Sequence, residues 1–283
     1  MKSYIIFGAG NLGSVLAKEL SQNDKVLGFL DNNKEKWGKV IDGIEVLGGL
    51  KILEKIEYDE IVIASTMRFH EIKKSLLDFG IDENRINKTT QQRLRVEIDA
   101  RVNFLRDFSS LHSQRDDLCV AEGGVFQGMF AAEINRYFPK NKLYLFDTFE
   151  GFDKKDVEIE SKCNYSKVEE NYYNETSEQL VLNKLPFKER AIIRKGYFPE
   201  TTVGIPEEKY IFVNLDFDLY KPILSGLEYF YPRMYDDGII LIHDYFTEFY
   251  HGVKAAVDVF EENLGHKLRR FPIGDGISIA IIK

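Results

Sequence analysis

Short apolar runs alternate with amphipathic stretches along the first part of the chain. Three runs rich in β-branched and aromatic residues predict buried strands, and they are Ser3–Phe7, Lys25–Leu30 and Glu60–Ala64. Between and after them, Asn11–Leu20 and Phe69–Phe79 repeat apolar residues three and four positions apart, which predicts helices. This order predicts a parallel sheet with right-handed crossovers, so residues 1–88 are expected to form a small α/β domain.

A polar stretch without Gly or Pro follows at 89–111. Its apolar residues recur at helical spacing, and they are Leu94, Ile98, Val102 and Leu105. We predict one connecting helix over 89–111. The apolar face either packs on one of the domains or serves self-association, so a homo-oligomer stays open.

A second alternation of strands and helices fills residues 112–283. The predicted strands are Leu118–Ala121, Leu143–Phe146, Ala191–Arg194, Tyr210–Leu215, Gly238–Ile242, Lys267–Phe271 and Ile277–Ile282. Helices are predicted near 126–137, 176–184, 222–231 and 252–263. Only the short Gly-rich segment 272–276 separates the last two strands, so the last strand is expected to run antiparallel to its neighbour. The long polar insert Gly151–Glu175 is a lid, a binding loop or an unstructured excursion.

Composition restricts the classes of protein that fit. Apolar residues make up 44% and charged residues 30% of the 283 positions, which is typical of globular domains. No apolar stretch is long enough to span a membrane, and the start of the chain does not resemble a signal peptide. Cys119 lies in an apolar run and Cys163 in a polar loop, so a disulfide between them is not expected. We therefore expect a reducing, cytoplasmic location. The net charge of −8 argues against nucleic acid as the main ligand.

The first glycine cluster, Gly8, Gly10 and Gly13, lies between a predicted strand and a predicted helix that begins at Asn11. This spacing is typical of Rossmann-like nucleotide sites, where backbone approaches a pyrophosphate at a helix N-terminus. Asp31 ends the second strand and can bind ribose hydroxyls. Alternatively, the glycines serve chain geometry only. The text of residues 28–49 resembles the nucleotide-sugar-binding domain of bacterial sugar N-acetyltransferases, which implies that this domain recognises a substrate.

A second glycine cluster opens the later alternation. Glu122 is followed by glycines that admit close backbone approach to a ligand, namely Gly123, Gly124 and Gly128. Asp147 ends the next strand and is expected to bind ribose, whereas Gly196 and Tyr197 follow the third strand and can flank an adenine. The predicted doubly wound sheet with seven mostly parallel strands resembles class I S-adenosylmethionine-dependent methyltransferases, with Glu122 facing the methionine ammonium group.

Two adjacent strands end in acids, at Asn214–Tyr220 and Asp237–Tyr245. Together with the segments 146–152 and 194–201, they resemble the macrocin O-methyltransferase family, which methylates sugar hydroxyls. The resemblance covers residues 108–282. It implies S-adenosylmethionine and a divalent ion, usually magnesium, as cofactors. By motif position, the metal ligands would be Asp216, His243 and Asp244.

His243 departs from the family pattern, which typically has Asp at this position. Imidazole suits Mn, Fe or Zn better than Mg, so either the metal differs, or His243 is no ligand, or no metal is needed. Asp216 and Asp244 are expected to hold the metal and the acceptor hydroxyl. A base must then accept the proton, and the candidates are His251 and Asp218.

The sequence therefore predicts an S-adenosylmethionine-dependent O-methyltransferase that acts on a sugar hydroxyl, assisted by Mg or Mn. The acceptor would be a small-molecule sugar, a nucleotide sugar or a glycan, as in polysaccharide biosynthesis. Two alternatives stay open. One is an NAD(P)-dependent sugar oxidoreductase that uses the first glycine cluster, and the other is a nucleotide-binding module without catalytic activity.

Overall fold

The computed structural model describes residues 1–65, 68–112 and 114–283, and for 89–99 it describes the backbone without the side chains. The chain forms two units, Met1–Val96 and Glu97–Lys283. The helix predicted over 89–111 is present at Thr89–Leu111. Leu94 and Ile98 of its predicted apolar face lie outside the described side chains, so the role of that face, like the domain boundaries, stays a prediction.

The first unit contains a six-stranded sheet in the order β3-β4-β2-β1-β5-β6. Its elements are β1 (Ser3–Phe7), α1 (Asn11–Leu20), β2 (Lys25–Leu30), β3 (Val40–Ile41), β4 (Ile44–Gly48), β5 (Glu60–Ile63), α2 (Phe69–Asp78) and β6 (Ile86–Asn87). The neighbours β2-β1-β5-β6 and β2-β4 pair in parallel. This confirms the predicted Rossmann-like sheet.

The antiparallel hairpin of β3 and β4 was not predicted. Its two turn residues, Asp42 and Gly43, both have positive φ angles, of 48° and 81°. An Asp-Gly pair is a strong signal for such a turn. The turn residues were therefore the signal for this hairpin in the sequence. The flanking strands are too short to show an alternating pattern.

The helix α3 (Thr89–Leu111) leads into a seven-stranded sheet in the order β12-β13-β11-β10-β7-β8-β9. The elements are β7 (Cys119–Gly123), α4 (Met129–Tyr137), β8 (Leu143–Asp147), α5 (Lys154–Cys163), α6 (Glu178–Leu182), β9 (Ala191–Lys195), β10 (Tyr210–Leu215), α7 (Tyr220–Phe230), β11 (Met234–Ile242), α8 (His251–Leu264), β12 (Arg269–Pro272) and β13 (Ile279–Ile282). The last strand pairs antiparallel with both β11 and β12. The predicted architecture is confirmed.

The sheet of the second unit lies between two apolar layers. Residues of α7 and α8 pack on one face and residues of α3 and α4 on the other. The central strands β7 and β10 are buried along their whole length, so only their ends reach solvent-accessible space. This arrangement places the polar residues that follow these strands at the carboxyl edge, where ligands of open α/β sheets bind.

The insert Gly151–Glu175 contains helix α5, which the sequence pattern did not reveal. Asp153 caps the helix by accepting from the amide of Lys155 at 2.8 Å. The sequence pattern did not show this helix, because both of its buried residues, Asp156 and Glu160, are acids. Among the described helices, none is long and apolar enough to span a membrane.

Candidate active site

Close packing requires two of the three glycines in the first glycine cluster, Gly8 and Gly13. A Cβ at Gly13 would lie 2.0 Å from the carbonyl oxygen of Gly8, and Gly8 itself has a φ of 119°. Gly10 caps α1 and has open space around it, and Asn11 is the first helical residue. The loop therefore leaves the N-terminus of α1 without a side-chain cap.

Asp31 closes this loop from the end of β2. One carboxylate oxygen accepts from the amide of Ala9 at 2.9 Å and from Lys36 Nζ at 3.1 Å, and the other accepts from the amide of Asn33 at 2.8 Å. Lys36 also donates to the carbonyl oxygen of Ala9 at 3.1 Å. The structure thus brings Asp31 to the glycine loop and places a cation beside it.

In the second unit, the glycines let the end of β7 contact the segment that follows β10. A Cβ at Gly123 would lie 2.2 Å from the Phe217 ring, and one at Gly124, with φ of 80°, would lie 2.0 Å from the carbonyl oxygen of Asp216. Gly128 caps α4 in the left-handed conformation. These contacts join the glycine loop directly to the residues proposed for chemistry.

Glu122 is 2% exposed and lies beside Asn214 of the neighbouring strand. The Asn214 side-chain amide donates to one Glu122 oxygen at 2.9 Å, while the other oxygen has no hydrogen-bond partner among the described residues. Burial, followed by the charge of Asp216, raises the pKa of Glu122 to about 8. A cationic group that bound here would stabilise the ionised form.

Asp147 closes the second glycine loop as Asp31 closes the first. One carboxylate oxygen accepts from the amides of Val125 and Phe126 at 2.7 and 2.8 Å, and the other accepts from the amide of Phe149 at 2.7 Å. Burial raises the pKa of Asp147 despite these bonds. Asp147, the acid at the end of β8, therefore stabilises the glycine loop that follows β7.

Two further predicted residues follow β9. Gly196 adopts a φ of 132°. The hydroxyl of Tyr197 donates to Asp156 of α5 at 2.9 Å, and Lys155 lies 4.7 Å from the centre of its ring. A cavity of about 480 Å³ opens beside these strand ends, and it is lined by Phe149, Thr176, Ser177, Glu178, Gln179, Leu182 and Lys195.

Asp216, His243 and Asp244 form one cluster after β10 and β11, with one potential ligand atom of each within 4.8 Å of the others. Pairing of β10 with β11 brings these residues together, and it continues past the strand ends because the amide of His243 donates to the carbonyl oxygen of Leu215 at 3.0 Å. The Nδ1 atom of His243 lies 2.9 Å from Asp216 Oδ1 and 2.5 Å from Asp244 Oδ2.

The charges of the cluster depend on one another. Burial opposes ionisation of Asp216, but the positive charges of His243 and Arg101 outweigh it and lower the pKa of this carboxyl. Burial and Arg101 disfavour a charged imidazole, yet the two carboxylates raise the pKa of His243 well above its ordinary value. Asp218 interacts with Asp244, and burial together with that charge raises its pKa.

Backbone geometry is unusual at this edge of the sheet. Asp218 and Asp244 adopt left-handed conformations, with φ of 63° and 58°. Asp tolerates this region better than most residues, but it still costs energy, and such residues concentrate at functional sites. His251 begins α8, its side chain is exposed, and its amide donates to the carbonyl oxygen of Tyr165. It lies outside the three-residue cluster, and its role as a base stays a prediction.

Sequence reasoning missed Arg101 at this cluster, and it missed the pairing of Tyr173 with Tyr250. Arg101 of α3 donates to Asp216 Oδ2 at 3.1 Å, and its guanidinium lies 4.2 Å from the centre of the Phe130 ring. Tyr173 of the insert and Tyr250 share a hydrogen bond at 3.0 Å. Arg101 lies in a helix that was recognised by the spacing of its apolar residues, and that spacing says nothing about its charged residues. No local sequence pattern marks the two tyrosines.

The residues present suit a divalent ion. Two carboxylates and one imidazole within mutual reach are a donor set that binds first-row divalent metals, and imidazole shifts the preference from Mg toward Mn, Fe or Zn. Arg101 neutralises one oxygen of Asp216, which leaves Oδ1 directed toward His243. The chemistry of the donors therefore fits the ion that the family resemblance implies.

The strand order, the antiparallel last strand and the glycine loop define the class I methyltransferase fold. The family model of macrocin-O-methyltransferase (TylF) matches residues 117–270, more than half of the chain, and the chain belongs to this family of O-methyltransferases. Residues 1–87 match a second family model, described as C2185-like, N-terminal. The predicted resemblance of this part to sugar acetyltransferases is not among the matches and stays a prediction.

Solved structures share the fold at low sequence identity. The O-methyltransferase NovP is 18% identical with a TM-score of 0.52, and the match covers 65% of this chain and 79% of NovP. The calicheamicin methyltransferase CalS11 is 16% identical with a TM-score of 0.50, and the match covers 75% of this chain and 90% of CalS11. A search of curated proteins found no match.

Proposed function

We propose that the chain transfers the methyl group of S-adenosylmethionine to a sugar hydroxyl, with Asp216, His243 and Asp244 holding a divalent ion. The observation that supports this most is the contact between the glycine loop that follows β7 and the acid cluster that follows β10 and β11. The backbone of Asp216 lies against Gly124 of the glycine loop, so the acid cluster adjoins the predicted methyl-donor site. Family membership supports the reaction class.

The methyl donor is proposed to lie along the carboxyl edge from β7 to β9. Glu122 would accept from the methionine ammonium group with the oxygen that has no partner among the described residues. The loop of Gly123, Gly124 and Gly128 would face the methionine moiety, and Asp147 would bind the ribose with its remaining lone pairs. Gly196 and Tyr197 would border the adenine beside the cavity at the ends of β8 and β9.

The acid cluster is proposed to bind and orient the acceptor hydroxyl. When bound, a divalent ion lowers the pKa of a coordinated hydroxyl and neutralises charge. Asp216 and Asp244 would fix the position of that hydroxyl relative to the sulfonium methyl, which makes the reaction effectively unimolecular. The proton of the acceptor hydroxyl would pass to His251 or Asp218, the two candidate bases that the sequence leaves open.

The first unit is proposed to bind the nucleotide part of the acceptor. Gly8, Gly10, Asn11 and Gly13 present the uncapped N-terminus of α1, which favours phosphate, and Lys36 adds a positive charge beside Asp31. The acceptor class that follows is a nucleotide-linked hexose. This part of the proposal rests on the loop geometry and on the resemblance of residues 28–49.

Calorimetry with S-adenosylmethionine tests the donor site directly. We expect one binding site per chain at micromolar concentrations, and absence of binding at high micromolar ligand would remove the proposal. The acceptor is sought with radiolabelled S-adenosylmethionine and a panel of hexoses linked to UDP, dTDP and GDP. Transfer of label to none of them would contradict the proposed acceptor class.

The metal assignment is tested with Asp216→Ala and with Mn²⁺ titrated into chelator-treated protein. We expect the variant to lose Mn²⁺ binding. Its rate of methyl transfer should be at least about a hundredfold lower, because the substitution removes a metal ligand and also the group that orients the acceptor hydroxyl. Affinity for S-adenosylmethionine should change less than about threefold. Asp236→Ala, at an exposed position, is the matched control. Full Mn²⁺ binding by Asp216→Ala would overturn the assignment.

A further inference from the structure

The insert Gly151–Glu175 is tied to the active site at three places. Near its end, the Gln127 side-chain amide donates to the carbonyl oxygen of Glu175 at 3.0 Å, and the adjacent Thr176 hydroxyl donates to the carbonyl oxygen of Phe126. In its middle, the carbonyl oxygen of Tyr165 accepts from the amide of His251 at 3.1 Å. The insert therefore spans from the glycine loop to the start of α8.

The third connection is Tyr173 of the insert, which contacts the segment between β11 and α8. Its hydroxyl lies 3.0 Å from that of Tyr250, the residue that precedes α8. Both side chains are partly buried, and burial followed by the charge of Asp218 raises the pKa of each hydroxyl. Asp244 contributes in the same direction to both. Both hydroxyls thus stay protonated and lie within the electrostatic reach of the carboxylates.

Aromatic rings surround Tyr173 on the insert side. Its ring makes edge contacts with Phe126 of the glycine loop and with Phe152, each at 5.3 Å between ring centres. Gly151 makes this packing possible, because a Cβ there would lie 2.8 Å from the carbonyl oxygen of Tyr172. The result is a packed group of aromatic rings from which the Tyr173 hydroxyl reaches Tyr250.

Two hydroxyls that share one hydrogen bond still have one donor hydrogen and several acceptor lone pairs to offer. An aromatic surface that carries a few polar groups suits a small polar ligand such as a sugar. We propose that Tyr173 and Tyr250 bind the acceptor sugar, contacting an oxygen next to the hydroxyl that is methylated, so that the insert determines which acceptor is used. This inference rests on the proposed function.

The test compares Tyr173→Phe and Tyr250→Phe with wild type on the panel of UDP-, dTDP- and GDP-linked hexoses. Phe keeps the ring packing and removes only the hydroxyl. We expect the acceptor KM to rise about tenfold, as for a lost hydrogen bond to a ligand, with kcat changing less than threefold. The Kd of S-adenosylhomocysteine, measured by calorimetry, should stay within twofold and also reports that each variant is folded. Tyr172→Phe, at a residue that is 43% exposed, is the matched control.

The possible outcomes separate the inference from the proposed function. If wild type methylates no member of the panel, the proposed acceptor class is wrong and the inference fails with it. If wild type is active and both variants keep its acceptor KM and its acceptor preference, the tyrosines have a structural role only and the inference alone is overturned. If one variant does not fold, the other decides, because each hydroxyl is predicted to contact the acceptor.

Discussion

Asp156 is a buried carboxyl group on α5 whose ionisation opposes folding. It is 4% exposed, and burial raises its pKa to about 6 although the Tyr197 hydroxyl donates to it. An unfolded Asp titrates near 3.9, so between about pH 4 and pH 6 the folded chain binds more protons than the unfolded chain. The contribution of this group to stability therefore falls as the pH rises through this window.

Asp156→Asn should remove that cost while keeping an oxygen that accepts from Tyr197. We expect the variant to exceed wild type in free energy of unfolding by about 2 kcal/mol at pH 7.5, and the difference to vanish below pH 4. Urea unfolding at several pH values measures it. Asp236→Asn, at an exposed position, is the control variant. A difference for Asp156→Asn that does not change with pH would contradict this account.

At the same scale, the sequence predicted the grouping of Asp216, His243 and Asp244 better than its surroundings. Asp216, His243 and Asp244 follow adjacent strands, and parallel strands bring their ends together by necessity. Arg101 comes from a helix that is distant in sequence, and only tertiary packing brings it to Asp216. Strand-end chemistry is therefore predictable from order alone, whereas side chains that reach in from elsewhere are not.

The helix α7 depends on another element for its N-terminal cap. Its own cap residue, Leu219, provides no side-chain acceptor. Glu160 of α5 supplies one, since Oε1 accepts from the amide of Tyr220 at 2.8 Å while Oε2 accepts from the Ser166 hydroxyl at 2.5 Å. A carboxylate at this position also interacts favourably with the positive end of the helix dipole.

Glu160→Ala should therefore leave the Tyr220 amide without an acceptor and a void beside Gly252. We expect a loss of about 2 kcal/mol in free energy of unfolding, with faster hydrogen exchange in the first turn of α7. The matched control is Glu158→Ala on the same helix, which loses only an exposed pair with Lys162 and should cost less than about 0.5 kcal/mol. Equal losses in the two variants would refute the cap.

Element boundaries were predicted well where burial determines the pattern. Asn11–Leu20 and Tyr210–Leu215 agree with the structure at both ends, because an apolar stripe or a continuous apolar run leaves no other register. Helix α5 was missed because its buried positions include acids that bond to other elements. Hydrophobic periodicity identifies elements that pack through apolar faces, and it fails for an element attached by hydrogen bonds.

At the scale of the whole molecule, each unit has its own hydrophobic core. In the described part of the chain, two core clusters are built from residues of the first unit and two from residues of the second. Each unit also repeats one device, a glycine loop closed by the acid of the next strand, Asp31 in one and Asp147 in the other. The sequence revealed this repetition because both loops follow buried strands.

Separate cores imply that damage to the first unit should spare donor binding by the second. Gly13→Ala introduces a Cβ 2.0 Å from the carbonyl oxygen of Gly8, whereas Gly10→Ala meets no described atom within 4 Å. We expect Gly13→Ala to destabilise the first unit by about 3 kcal/mol and Gly10→Ala by less than about 1 kcal/mol. Hydrogen exchange in β1 and β7 resolves the two units.

In both variants, the Kd of S-adenosylhomocysteine should stay within twofold of wild type, while turnover of a nucleotide-linked acceptor should fall in Gly13→Ala. A fall in donor affinity that parallels the loss of protection in β1 would mean that the units are energetically coupled. Unchanged turnover despite loss of protection in β1 would mean that the first unit does not bind the acceptor. Because the two readouts come from different units, one variant tests both the independence of the cores and the division of labour between the glycine loops.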